Sequence, residues 1–416
     1  MLIQFGFENY KSFKDEAILD LTATKIKELS YHIREVGREK ILPTAVIYGA
    51  NASGKSNVYE ALAWMSTYIK NSFGYGDDDD KAPTPFLLDE QSAKADTMFE
   101  AHFTLSGDTS GKVYNYGFCV GEKGISEEWL NTKAKTAKTS RRIFYRNGDE
   151  LDLQGIPKKS RENVEIALGK KTLIVSLGAM LKIEICEKVR NWFANNLFAD
   201  FGNAVSNFYL STNLPDHFTD NPVVRDRVVQ FLSDYDPQIK ALEVKKVQTS
   251  DEEQKDYYQI NALHQIYGSD QTVPFSFRDE SAGTQKMFSL YPFLQNVLET
   301  GNVLFVDEMN ARLHPLLVRG IINLFTSSET NPNQAQLIFT SHDSWLLSSK
   351  VLRRDEIWFT EKDKLGQSDL YALSDFVDEK GDKIRNDENI EKNYLLGKYG
   401  AIPEIHALHL VSENKK

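Results

Sequence analysis

Residues Gly49-Ala50-Asn51-Ala52-Ser53-Gly54-Lys55-Ser56 follow an apolar run, Ile41 to Tyr48, and open a segment with helical spacing, Ser56 to Ile69. The pattern G-x-x-x-x-G-K-[ST] between a strand and a helix constrains this chain more than any other feature, because it requires a buried strand to deliver a tight loop to a helix N-terminus. Gly49 and Gly54 permit backbone geometry that a Cβ would forbid, so successive N–H groups can converge on phosphate oxygens. The helix N-terminus adds unpaired donors and the positive end of a dipole. In this reading Lys55 bridges the β- and γ-phosphates and the Ser56 hydroxyl ligates Mg²⁺, with Asn51, Ser53 and Asn57 also lining the loop. The competing reading is a chance match in a turn before a helix.

A second block of motifs lies some 250 residues on. Val303-Leu304-Phe305-Val306-Asp307-Glu308 is an apolar strand ending in two carboxylates. A buried strand of a parallel sheet presents its C-terminal residues to the phosphate crevice. There Asp307 would hold the Mg²⁺ shell and Glu308 would polarise an attacking water. Taken alone, such a strand end is equally a solvated acidic turn. Leu337-Ile338-Phe339-Thr340-Ser341-His342-Asp343 is a further apolar strand, and His342 stands at its tip where a γ-phosphate sensor would be needed. Upstream, Ser281-Ala282-Gly283 precedes a helical segment, Met287 to Leu298, and could form another anion-binding turn or an ordinary N-cap.

The rest of the chain supplies scaffolding. Leu2 to Tyr10 alternates as a strand, Lys11 to Glu16 reads as a hairpin connection and Ala17 to Leu21 as its return. Residues 71–85 lose periodicity around Asp77-Asp78-Asp79-Asp80-Lys81, which matches a known protease recognition sequence and reads more simply as a solvated loop. Alternating stretches at Phe99–Leu105, Val113–Val120, Glu127–Leu130, Arg142–Arg146 and Leu151–Leu153 predict an antiparallel sheet, and Leu181 to Phe231 reads as helical.

Composition narrows the partners. A net charge of −11 argues against a surface coated for nucleic acid. The exception is Asn131 to Lys171, with eleven Lys and Arg against five Asp and Glu. Those cations could track a phosphate backbone, making duplex DNA a candidate partner, or could guard strand edges against pairing. Apolar runs fall short of a membrane span, and the two cysteines, Cys119 and Cys186, suit a reducing cytoplasm as core residues.

The order of P-loop, intervening region, Ser-x-Gly helix, acidic strand end and strand-tip histidine resembles the ABC-type ATPase head of the SMC, RecF and OLD group. The resemblance covers roughly residues 1–70 and 240–375. It implies an α/β P-loop head with a mostly parallel core sheet, an antiparallel β insertion over 71–180, a helical subdomain over 181–239 and a helical tail over 376–416. By the same resemblance Ser281 to Gln285 is a degenerate signature motif, Ser281 and Gly283 contact ATP held by a second protomer, and His342 is the switch histidine. Asn310-Ala311-Arg312-Leu313-His314-Pro315 looks like the D-loop, and Lys11 corresponds to the basic residue of the N-terminal turn that reaches toward the nucleotide. Glu280 and Thr284 replace the usual Leu and second Gly of the signature, and the Q-loop is expected near Leu173 to Leu177, which has no Gln. Pro85-Phe86-Leu87-Leu88-Asp89 and Tyr394 to Pro403 are similar to abortive-infection and RloA-type ATPases of bacterial defence loci. That narrower resemblance implies an ATPase, using ATP and Mg²⁺ and dimerising on ATP, that controls a separately encoded effector such as a Toprim-type nuclease or a toxin. A RecF-like repair ATPase and a low-turnover scaffold are the alternatives.

Overall fold

The computed structural model describes all residues except 106, 107, 109, 248–256, 349, 378–383, 385–387 and 404–416. Its centre is a sheet in the order Leu197–Asp200, Val303–Asp307, Gln336–Thr340, Thr44–Gly49, Ile357–Lys362 and Ser368–Ala372. The first five strands run parallel and the last is antiparallel. Thr44–Gly49, Val303–Asp307 and Gln336–Thr340 are buried along their whole length. Such strands read as continuous apolar runs because both faces of the sheet are covered.

Side-chain alternation sorts the strands between two cores. Ala45, Ile47, Val303, Phe305 and Ile338 pack with Val58, Leu62 and Met65 of the P-loop helix, Lys55–Asn71. Val46, Tyr48, Leu304, Val306, Leu337 and Phe339 pack instead with the helices Ala282–Thr300 and Pro315–Thr326.

A second, antiparallel sheet runs in the order Glu150–Asp152, Arg141–Asn147, Gly124–Lys133, Val113–Gly121, Thr97–Phe103, Leu2–Glu8 and Ala17–Asp20. It lies against the far side of the P-loop helix, where Trp64 stacks on Phe99 at 4.9 Å and Tyr68 lies 5.8 Å from Phe118, ring centre to ring centre. The helix is thus held between two sheets, so the loop feeding it has a firm base. On one strand of this sheet Glu128 is fully buried. Its carboxylate accepts from the Ile174 and Val175 N–H groups at the start of the helix Ile174–Met180 and from the Tyr116 hydroxyl. Burial pushes that carboxyl up to about 7.

Several expectations change. Leu2–Glu8 pairs with Ala17–Asp20 on one side and Thr97–Phe103 on the other, so residues 1–20 and the β insertion share one sheet instead of lying in separate units. Leu197–Asp200, inside the expected helical subdomain, is a strand paired with Val303–Asp307. The expected single strand over 41–48 is two, Glu39–Ile41 and Thr44–Gly49, because Pro43 has no N–H to continue a ladder. Leu173 to Leu177 belongs to the N-cap and body of the helix Ile174–Met180, buried in the first core, so the Q-loop cannot be there. The acidic run 77–80 is solvated but held: the Lys170 N–H donates to Asp77 and the Lys171 ammonium to the Asp79 carbonyl. The described part of the tail contains the helix Ile390–Leu395, and residues 404–416 lie outside the described residues. No helix of the described residues is long and apolar enough to cross a membrane.

Candidate nucleotide-binding site

The strand Thr44–Gly49 ends at the loop, and the loop's geometry explains its glycines. A Cβ on Gly49 would lie 2.4 Å from Ser53 Oγ and 2.5 Å from the Thr360 carbonyl oxygen, so the backbone fits there only without a side chain. Gly54 has φ 114° and caps the helix, in a conformation that L side chains rarely adopt. Ser53 is buried and its hydroxyl meets Thr360 Oγ1 at 2.6 Å, tying the loop to the neighbouring strand. Asn51 and Ser56 are exposed on the open side of the loop.

Lys55 is buried, and its ammonium donates to the carbonyls of Gly49 (2.9 Å) and Ala50 (3.0 Å). Burial pulls its pKa below the ordinary lysine value, opposed by the charges of Glu308 and Asp307. Those two carboxylates are therefore near enough to favour the cation. Asp307, also buried, is pushed above the usual carboxylate range by burial, while the hydroxyls of Thr340 and Ser56 favour its charged form. The structure thus brings Lys55, Ser56, Asp307 and Glu308 together from strands distant in sequence.

Thr340 organises the acidic strand end. Its hydroxyl accepts from the Glu308 N–H at 2.9 Å and donates to Asp307 Oδ1 at 2.5 Å. Glu308 is in the left-handed region at φ 54°, which turns it out of line with the strand. His342 Nε2 lies 2.9 Å from Glu308 Oε1, and the bond holds the Glu308 carboxyl below its ordinary pKa. The His342 N–H reaches Asn310 Oδ1 at 3.2 Å, so the expected D-loop and switch residue are in direct contact.

Ser281 N-caps the helix Ala282–Thr300, its hydroxyl accepting from the Thr284 N–H at 3.1 Å. Both Ser281 and Ala282 are exposed. A Cβ on Gly283 would stand 3.2 Å from the Arg312 carbonyl oxygen, so this turn abuts the 310–315 loop. Glu280, in the place of the usual leucine, meets His264 Nε2 at 2.7 Å, which anchors the turn to the strand Tyr257–Gln265.

Lys11 does not join the loop. Its ammonium is paired with Glu60 on the P-loop helix. From the same turn Ser12 makes the nearer contact, accepting from Asn57 Nδ2 at 2.6 Å.

Three further residues had no readable signal as site residues. Asp200 ends the strand beside Asp307 and accepts from the Gly202 and Asn203 N–H groups, and its charge raises the Asp307 pKa. Thr340 reads in the sequence only as the last residue of an apolar strand. Lys286 followed the signature turn without a role. Its ammonium donates to the carbonyls of Glu308 (2.9 Å), Met309 (2.9 Å) and Ala311 (2.8 Å), and lies 4.1 Å from the Phe201 ring centre. Burial pulls its pKa down to about 7.

No curated protein matches the chain. Among solved structures, an Smc head bound to the C-winged helix domain of ScpA is 13% identical, with 89% of this chain and 97% of that one covered at a TM-score of 0.47. A Smc head domain with an extended coiled coil, bound to the C-terminal domain of ScpA derived from Pyrococcus furiosus, is 12% identical, with coverage of 89% and 96% and a TM-score of 0.42. A family model reaches from the P-loop strand to beyond His342, matching residues 45–348, and the chain belongs to the family it describes, "AAA domain, putative AbiEii toxin, Type IV TA system".

Proposed function

We propose that this chain is an ATP-binding and ATP-hydrolysing subunit that closes into a homodimer around nucleotide. In that state it controls a separately encoded effector, a Toprim-type nuclease or a toxin, in an anti-phage defence system. The observation that carries the reading is the linked set Asp307–Thr340–Glu308–His342 at the ends of adjacent parallel strands, beside Lys55 and Ser56. A loop of N–H donors, a lysine and an acidic pair meeting at one crevice suit a triphosphate with its cation.

The donor set fits Mg²⁺. The Ser56 hydroxyl and the Asp307 carboxylate are hard oxygen ligands, and Mg²⁺ is bound through one or two such groups plus substrate phosphates. Among the described residues no group of three His, Cys, Asp or Glu is placed to hold a metal alone, which agrees with a cation arriving on the nucleotide. Mg²⁺ would neutralise charge on the phosphates. Glu308, held in place by its hydrogen bond to His342, would orient and take a proton from the attacking water. The turn of exposed Ser281 and half-buried Gly283 would complete the γ-phosphate site of a second copy, which supports the dimer. The family's description mentions a type IV toxin–antitoxin system, which supports a partnered effector.

The test is the Glu308→Gln variant with Mg²⁺–ATP, followed by light scattering and nucleotide quantification. The expected result is retained ATP and doubled mass. Wild-type turnover in this variant would remove Glu308 as the base. A monomer saturated with ATP would remove the sandwich. Co-purification from the native operon then tests for the effector.

A further inference from the structure

The eleven cations of residues 131–171 fall into two groups. Arg146 is buried and donates to the carbonyls of Gly148, Gly169 and Thr172. Lys171 is buried against the Asp79 carbonyl, and Arg161 donates to Ile156 and Gln154 carbonyls. These three hold the fold together.

Guarding an open strand edge accounts for only part of the remainder. The edge strand on this side of the antiparallel sheet is Glu150–Asp152, which carries two carboxylates and no cation. Glu150–Asp152 covers only Tyr145–Asn147 of the neighbouring strand, so Arg141 and Arg142 flank a short open edge, whereas Lys135 and Lys138 lie outside any strand. The cations crowd at the connection between Gly124–Lys133 and Arg141–Asn147: Lys133, Lys135, Lys138, Arg141 and Arg142 are all exposed, and no Asp or Glu occurs in sequence between Glu128 and Asp149. Arg142 lies over the Tyr145 ring and 3.7 Å from Asp152. Among the described residues no carboxylate comes within 4.0 Å of the other four ammonium or guanidinium groups.

Neighbouring turns extend this end of the molecule. A Cβ on Gly37 would lie 2.7 Å from the Gly111 carbonyl oxygen, and a Cβ on Gly111 would lie 3.6 Å from Lys135 Cδ. The turn bearing Arg38, the turn bearing Lys112 and the Lys133–Arg142 connection therefore meet, and both Arg38 and Lys112 are exposed. Glu39 and Asp108 are the carboxylates on those turns, and Asp108 is engaged by the Ser110 N–H at 2.8 Å. Unpaired like charges held together cost free energy unless an anion neutralises them. The connection offers Thr136, Thr139 and Ser140 hydroxyls but no aromatic ring between Lys133 and Arg142. Point charges with hydroxyls suit phosphates, whereas single strands are held largely by stacking on aromatic rings.

We propose that the Lys133–Arg142 connection, with the adjoining Gly37 and Gly111 turns, docks the phosphate backbone of a double-stranded nucleic acid without reading its sequence. This goes beyond the nucleotide site and does not depend on it. The experiment is fluorescence anisotropy of the full chain with labelled random-sequence duplex DNA of about 30 base pairs, titrated across salt. Neutralising about four phosphates gives an expected slope of log affinity against log salt of about −3 to −4. The Lys135→Ala/Lys138→Ala/Arg141→Ala variant is expected to bind at least ~10-fold more weakly at low salt and to lose about three units of that slope. Lys158→Ala/Lys159→Ala, which removes two exposed lysines from the helix Lys158–Ala167, is expected to change neither. An unaltered melting temperature and ATP affinity in the triple variant separate this test from the ATPase reading. The proposal is overturned by no duplex binding at low salt, by equal binding in the triple variant, by tighter binding of single strands or by equal loss in the control variant. A parallel titration with duplex RNA distinguishes the two duplex sources.

Discussion

The P-loop side and the signature side of the site each bury a lysine, and the two are used differently. Lys55 is held by carbonyls of its own loop, five and six residues back, and among the described residues makes no ion pair. Lys286 crosses from one helix to the turn after another element, where three carbonyls between Glu308 and Ala311 receive it. A cation held by its own short loop can exchange those carbonyls for phosphate oxygens with little rearrangement. One bonded across elements is a brace, and it fixes the backbone that carries Glu308. On the proposed function, the difference would separate binding from turnover within a single crevice.

Breaking each lysine tests that separation. Lys55→Ala removes the charge that would meet the phosphates, and ATP affinity measured by calorimetry is expected to fall by about 100-fold or more, since charged hydrogen bonds of this kind contribute about 1.5–3 kcal/mol each. Lys286→Met should instead leave ATP affinity within about threefold while turnover falls by about 10-fold to 100-fold, with partial recovery in Lys286→Arg. Equal losses of affinity and turnover in Lys286→Met would erase the distinction. His342→Ala removes the hydrogen bond that orients the Glu308 carboxylate, but the pair is part-exposed. Its expected cost is smaller, about 10-fold in turnover, because solvent partly replaces the lost partner.

The smallest effect is on pH. The Lys286 pKa is lowered by burial to about 7 from 10.5. Above that point the amine has two hydrogens for three carbonyls, so turnover should decline several-fold from pH 7 to 9, and Lys286→Arg should abolish the decline. Stability should move the other way. The folded state binds fewer protons than the unfolded state between the two pKa values, so this group destabilises most below about pH 7 and the penalty fades as pH rises toward 10.5. The urea midpoint of wild type relative to Lys286→Met should therefore rise between pH 7 and pH 9.

These contrasts also show why only part of the molecule could be read from its sequence. Gly49 to Ser56, Val303 to Glu308 and Phe339 to His342 are legible because each is a local strand-to-turn unit whose chemistry sits within a few residues. The strands at 97–152 are legible because apolar and polar residues largely alternate along them, most regularly over Thr97–Phe103. Leu197–Asp200 is not: four residues between two helices carry too short a period, and their strand character comes from pairing with Val303–Asp307. Lys286 looks like any polar residue on a helix, and its role exists only once packing brings it to Glu308. Lys11 shows the opposite failure, since its motif position was clear but Glu60, one turn along the P-loop helix, takes its charge.

The strand order has a consequence for how the molecule is made. Every pairing of the antiparallel sheet lies within the first 152 residues, so that sheet can assemble while synthesis continues. The strand Thr44–Gly49, by contrast, is flanked by Gln336–Thr340 and Ile357–Lys362, and Ser53 waits for Thr360, 307 residues downstream. At ribosomal rates of about 5–20 residues per second the glycine loop stays without walls for about 15–60 s after it emerges. A chain truncated before Gln336 would have every strand of the antiparallel sheet and lack the walls of the glycine loop, so nucleotide affinity would report on how much of the chain has been made.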